Sequence, residues 1–410
     1  MLSLLVFPAI LNLASWAIPG FSDWYAESVF PVITAPLARL TSLLPFSVGE
    51  WMLLAAVLWI LILLILTAAG LIAAVKARSA DTRIVRAARR FLRATCWLLA
   101  VVMPVMTLNC FILYHTTPLE ESLPGYGKEY TIAELGELRD YIVEKCNALA
   151  EEMPRDETGE VVYEGGAAAM EETAREAVER LGQMSICNTA GPAAAADTSD
   201  SGSTASGSAE SDTEEAACEA ENLPSVLSRL CGFQVTAKEL FFSDFVSQQY
   251  IQGYYFPFSM ESNYNAIMKT MNKPSTICHE LAHTHGFIYE DEANLIGFLA
   301  CIYSDDVIFR YSGWLSVLNY VNNSFYANVD EATYQSHVSI SDRVRFDNKF
   351  LSDEAWEEVE EDALLSTEVV KAATDTYLDT TLKANGVESG KASYTHVVEL
   401  LLMYYDGVYE

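Results

Sequence analysis

The stretch KPSTICHELAHTHGFIYEDEANLIGFLAC, residues 273–301, decides how the rest of the chain is read. His279 and His283 are four residues apart, so on a helix both project from one face. Two imidazoles at that spacing can share one metal ion, and Glu280 beside the first stands where it can act on a water at the ion. Pro274 and Ser275 suit the start of such a helix and Gly286 suits its end. The reading is a zinc site with His279 and His283 as ligands and Glu280 as general base. His285 lies about 120° from His279 and about 160° from His283 around an ideal helix, so it is read as structural.

A catalytic zinc takes three protein ligands and keeps one position open. The third is expected just past the turn, where Glu290, Asp291 and Glu292 follow one another. The segment EDEAN, residues 290–294, resembles the E-x-E-A-N pattern of gluzincin peptidases. That resemblance implies Glu290 as ligand and Asn294 as its neighbour one turn on, with Glu292 as the alternative ligand. HELAHTHGFIY also fits HExxHxxGxxZ as far as its glycine, but Tyr289 stands where that pattern needs a stronger ligand. Gly286 is therefore read as a helix stop. Further on, FRYSGW (309–314) offers Tyr311 as catalytic candidate for stabilising an oxyanion, with Tyr303 and Arg310 beside it. Cys278 and Cys301 flank the motif and are read as small buried residues.

Upstream, GYYFPFSM (253–260) is aromatic and extended, and Pro257 marks it as an edge strand. Helical spacing runs over 132–153, 170–184 (with Ala174, Ala177, Val178 and Leu181 on one face), 353–382 and 392–405, and SVLSRLCGF near 225–233 is helix-like. Residues 190–217 are rich in Ser, Ala, Gly and acids without an apolar anchor, which predicts a disordered insertion.

At the start of the chain three apolar stretches, about 1–18, 51–75 and 96–114, predict membrane spans. The loop 76–93 carries Lys76, Arg78, Arg83, Arg86, Arg89, Arg90 and Arg93 against Asp81 alone, which assigns it to the cytoplasm and residues 116–410 to the exterior. Of 56 acids and 25 bases, residues 1–115 hold four and eight, so 116–410 hold 52 and 17. A domain that acidic repels nucleic acid, which is excluded as a partner. Spans without an internal charge also argue against a transporter. Cys146, Cys187, Cys218 and Cys231 would lie in a compartment that permits disulfides, with three pairings possible.

The segments PFSVGE, GYYFPFSMESNYN, TICHELAHTHGF, EDEANLIGFLAC, FRYSGWL and YLDTTLKANGVESGKASYTHVVELLLMYY together resemble the bacterial membrane-protein family catalogued as domain of unknown function 3810. That resemblance implies a bacterial, multi-pass membrane protein of the HExxH peptidase kind. The expected fold is mainly α: three transmembrane helices in residues 1–115, then a zincin-like, mostly helical domain over 116–410 with a small β-sheet. By analogy with such folds, the edge strand at 253–260 is expected to pair with an extended peptide. The expected function is Zn2+-dependent hydrolysis of a peptide or protein substrate by a protein held in the lipid bilayer. A non-catalytic zinc-binding envelope protein is the alternative.

Overall fold

The computed structural model describes residues 2–77, 82–190, 223–384 and 393–406. The predicted insertion at 190–217, apart from residue 190, and Cys218 lie outside them. The chain divides into two compact units. One comprises residues 1–116 with 256–261, the other 117–255 with 262–410.

The first unit holds α1 (Leu2–Ala17), α2 (Phe30–Ser42), α3 (Val48–Ala77) and α4 (Arg83–Met106). Among the described residues two helical stretches are long and apolar enough to cross a membrane, Val48–Lys76 with 29 residues and Arg83–His115 with 33. The second of these continues from α4 through short π and 3-10 turns. The expected first span needs correcting, because α1 has only 16 residues. A span requires about 20. Pro19 and a left-handed Gly20 (φ 75°) end α1 too early, and Trp16 packs its ring on His115 at 4.6 Å.

α3 and α4 pair antiparallel. Trp59 Nε1 donates to Thr95 Oγ1 at 3.1 Å, and near the far end a Cβ on Gly70 would lie 3.1 Å from that of Ala88. The N-terminus of α3 is capped from far along the chain. Glu261 accepts the Val48 and Gly49 amides at 3.1 and 2.9 Å, an anion at the positive end of a helix.

The second unit is helical around a three-stranded sheet. It contains α5 (Ile132–Ala150), α6 (Gly166–Ala190), β1 (Lys238–Leu240), β2 (Gly253–Phe256), β3 (Glu261–Asn265), α7 (Lys273–Thr284), α8 (Glu290–Ile302), α9 (Val307–Asn328), α10 (Asp353–Glu361), α11 (Thr367–Ala384) and α12 (Ser393–Tyr404). The single helix expected over 353–382 is two, α10 and α11, and the helix-like 225–233 is a 3-10 turn. The strand order is β1-β3-β2, with β1 and β3 parallel. β2 is thus an edge strand, as expected, but it covers only 253–256 of the expected 253–260, because the chain turns from Pro257 on.

β3 is central although its sequence is ESNYN, and all five residues are buried. Three of its side chains donate to partners. Asn263 donates to Tyr254 O at 3.2 Å, Tyr264 to Glu171 at 2.9 Å and Asn265 to Ser247 at 2.7 Å. Such bonds remove most of the cost of burying polar groups. Rings from α5, α8, α9 and the end of α12 form the core beside this layer, with Trp314 packed edge-on against Tyr141 and Phe298 at 5.4 and 5.1 Å and stacked near Tyr405.

Candidate metal centre

α7 starts with Pro274 in its first turn, where a missing N–H costs nothing. It ends at Thr284, and Gly286 follows at φ 88°, a left-handed conformation that suits glycine. That reversal brings the Phe287 carbonyl back to His283, whose Nδ1–H donates to it at 2.7 Å. The bond fixes the ring and turns Nε2 toward His279, 3.1 Å away.

α8 begins directly after Tyr289, with Glu290, Asp291 and Glu292 in its first turn. Its backbone meets α7 closely at Gly297, where a Cβ would lie 2.9 Å from Ser275 O and 3.1 Å from His279 N. In that packing Glu290 Oε2 lies 3.2 Å from His279 Nε2 and 3.8 Å from His283 Nε2. One donor atom from each of these residues falls within 4.8 Å of the others.

The arrangement could hold a cation. Two imidazole nitrogens and a carboxylate oxygen lie close together, a grouping whose lone pairs a shared proton or a cation would satisfy. His283 answers the same carboxylate with a proton. Burial works against its charged form, yet the Glu290 hydrogen bond and charge, with Glu280 and the Phe287 carbonyl, lift it to about 9. Two histidines and one carboxylate form a donor set that fits zinc.

Glu280 is 5% exposed, and its Oε2 has no hydrogen-bond partner among the described residues. Burial pushes its carboxyl up to about 7, against the opposing pull of His279 and His283. Gly253 of β2 lies against it: a Cβ there would be 2.5 Å from Glu280 Oε1. Two residues on, the Tyr255 ring lies 5.9 Å from that of His283. Alternate residues of a strand share a face, so β2 turns Gly253 and Tyr255 toward α7. The motif does not point to either residue. The one hint was an edge strand carrying a glycine, which often marks close approach.

The other candidates sit elsewhere. Glu292 is buried with Oε1 accepting the Leu119 amide at 2.7 Å, and burial, aided by Asp291 and Glu120, raises it to about 7. Of the two carboxylates the sequence left open, Glu290 is the one beside the imidazoles. Tyr311, expected as an oxyanion donor, has its hydroxyl engaged elsewhere. It is fully buried and donates to Asp347 Oδ2 at 2.8 Å, and Arg155 grips the same carboxylate at 2.8 and 2.7 Å. Tyr303 bonds with Tyr404, and Arg310 donates to the Ser304 and Asp305 carbonyls. His285 is buried against Phe233, and burial lowers it to about 4, so it stays neutral. Cys146, Cys187 and Cys231 are free thiols.

No curated protein and no solved structure matches the chain. One family does, over residues 25–402, a match that takes in α2 to α11, most of α12 and the residues His279, His283 and Glu290. The chain belongs to the family described as Protein of unknown function (DUF3810).

Proposed function

We propose that the chain is a membrane-anchored zinc peptidase that hydrolyses peptide bonds of an extracytoplasmic or cell-envelope substrate. The observation that carries this reading is the convergence of His279, His283 and Glu290 within 4.8 Å, with Glu280 buried on the same helix. His279, His283 and Glu290 would hold the ion. When bound, zinc lowers the pKa of water and polarises the substrate carbonyl.

The other steps belong to the chain's own groups. Glu280 takes the proton of the attacking water and returns it to the leaving amine. The Phe287 carbonyl keeps His283 in the tautomer that binds metal. Gly253 leaves room beside the Glu280 carboxyl. β2, an edge strand whose face carries Gly253 and Tyr255, is the segment along which an extended peptide would pair.

The membrane reading rests on the two long apolar helices and on the basic loop between them. With the loop 76–93 in the cytoplasm the second unit would lie outside, where its excess of acids would keep it soluble.

The test uses the purified full chain beside Glu280→Gln. Stoichiometric zinc in both proteins, with cleavage of a mixed peptide library by the wild type alone, is the expected result. Zinc in both with cleavage by neither would move the reading to a structural or sensing site. Absence of zinc from both would end it.

A further inference from the structure

The two helices that carry the metal ligands also bring two thiols together. Cys278 on α7 and Cys301 on α8 are fully buried, and their sulfurs lie 3.8 Å apart. Cys278 directly precedes His279, and the residues between the two cysteines include His279, Glu280, His283 and Glu290. A bond between them would close a loop around the whole metal-binding segment.

A disulfide needs Cα atoms about 4.4–6.8 Å apart, a spacing reached between helices only where their backbones nearly touch. α7 and α8 do so here. At Gly297, one turn before Cys301, a Cβ would lie 3.1 Å from the amide nitrogen of His279, the residue after Cys278. On its other side Cys301 is met by Gly313 of α9, where a Cβ would lie 2.8 Å from that of Cys301. Glycines therefore set the close spacing on both sides of the Cys301 helix.

We propose that Cys278 and Cys301 are a disulfide-forming pair, oxidised by exchange with an external disulfide, that ties the two ligand-bearing helices together beside the metal cluster. It rests on the zinc reading only for what the tie secures, since the bond itself needs no metal. One cysteine loses its proton and attacks a sulfur of the oxidant, whose other sulfur leaves as a thiolate. The second cysteine then attacks the mixed disulfide, the Cys278–Cys301 bond forms, and the remaining oxidant sulfur leaves. Two cysteine thiols give up two electrons and two protons, and the oxidant disulfide becomes two thiols. Closing the sulfurs to about 2.05 Å takes side-chain rotation and a small approach of the helices. Because both thiols are buried, exchange takes place while α7 and α8 are opened or still folding, and the finished bond is sheltered from reductant.

The experiment takes the purified full chain in detergent, warms it with excess dithiodipyridine, quenches with acid and maps the cysteine peptides by mass spectrometry. The peptide holding Cys278 is expected joined to the one holding Cys301 and separated by reductant. In Cys301→Ala that joined peptide is expected to vanish, with Cys278 carrying a single thiopyridyl group. Recovery of both wild-type cysteines as free thiols, as separate thiopyridyl adducts, or joined to other cysteines would overturn the proposal. Neither metal content nor cleavage enters this readout. A failed cross-link therefore leaves the peptidase reading standing, and an inactive protein leaves the cross-link standing.

Discussion

Replacing Gly253 by alanine adds one methyl group at the closest approach of β2 to the proposed general base. That Cβ would meet Glu280 Oε1 at 2.5 Å, Glu280 Cγ at 2.7 Å and Asn263 O at 2.8 Å. Carbon atoms rest at roughly 3.5–4.0 Å, so about 1 Å of movement is needed. Gly253 is not among the residues with positive φ, so the cost is contact rather than backbone strain. Asn263 is fully buried in the central strand and cannot yield easily, whereas Glu280 ends in an oxygen without a hydrogen-bond partner among the described residues. The displacement therefore falls mostly on Glu280.

Misplacing a reacting group by ~1 Å costs on the order of 100-fold in rate. That is about 2.7 kcal/mol at the transition state. Overpacking itself costs ~1–3 kcal/mol of stability. At about 2–4 °C per kcal/mol the domain would still be folded at room temperature. The assay is peptidase kcat/KM with zinc content and a melting curve measured on the same preparation. Activity should fall about 100-fold with zinc retained. In Glu280→Gln the glycine substitution should add little, because groups acting as a unit lose activity non-additively. Wild-type activity in Gly253→Ala, or losses that multiply in the double variant, would refute the reasoning.

The carboxylates separate in the same way. Glu290→Gln should lose zinc, measured by competition with a chelator, while Glu292→Gln should keep it because Glu292 is engaged with the Leu119 amide. Tyr311→Phe should leave kcat unchanged and lower the melting temperature, since a hydrogen bond to a charged group contributes roughly 1.5–3 kcal/mol. A loss of kcat without loss of stability would return Tyr311 to the site. His396 bonds Asp291 at 2.5 Å and Glu120 at 2.7 Å, and the Asp291 bond above all lifts it from 6.5 to about 9. A raised histidine binds its proton more tightly folded than unfolded, so its stabilisation is complete below pH 6.5 and is lost as pH rises through about 9. Melting curves across that range should show wild type losing an advantage that His396→Gln never has; parallel curves would count against the clamp.

The pairing of two histidines on one helix face was legible because its logic is local. Four residues on one helix return to the same face whatever surrounds them, so His279 and His283 follow from spacing alone. The proline in α7, the glycine after it and the long apolar run of α3 are local signals of the same kind. α1 shows the limit of such signals. Apolar composition marked a span, but Pro19 and Gly20 cut the helix short, and hydropathy does not measure helix length. β3 shows another limit. ESNYN carries no hydrophobic pattern, and its central place depends on partners such as Glu171 and Ser247, far off in sequence.

What the sequence determined by itself was the helix that presents two imidazoles and a carboxylate, and the apolar helices that precede it. What only the tertiary structure decided was everything set by contact between elements. Glu290 and Glu292 sit about 200° apart on one helix, so only packing against α7 could choose between them. Tyr311 looked available until Asp347 and Arg155 were found around it, and neither Gly253 nor the Cys278–Cys301 approach could be seen before β2 and α8 had closed on α7. Dihedral preferences and side-chain periodicity act over a few residues and are written in the chain. The meeting of two faces depends on the phase, tilt and small residues of both partners, and exists only once they have packed.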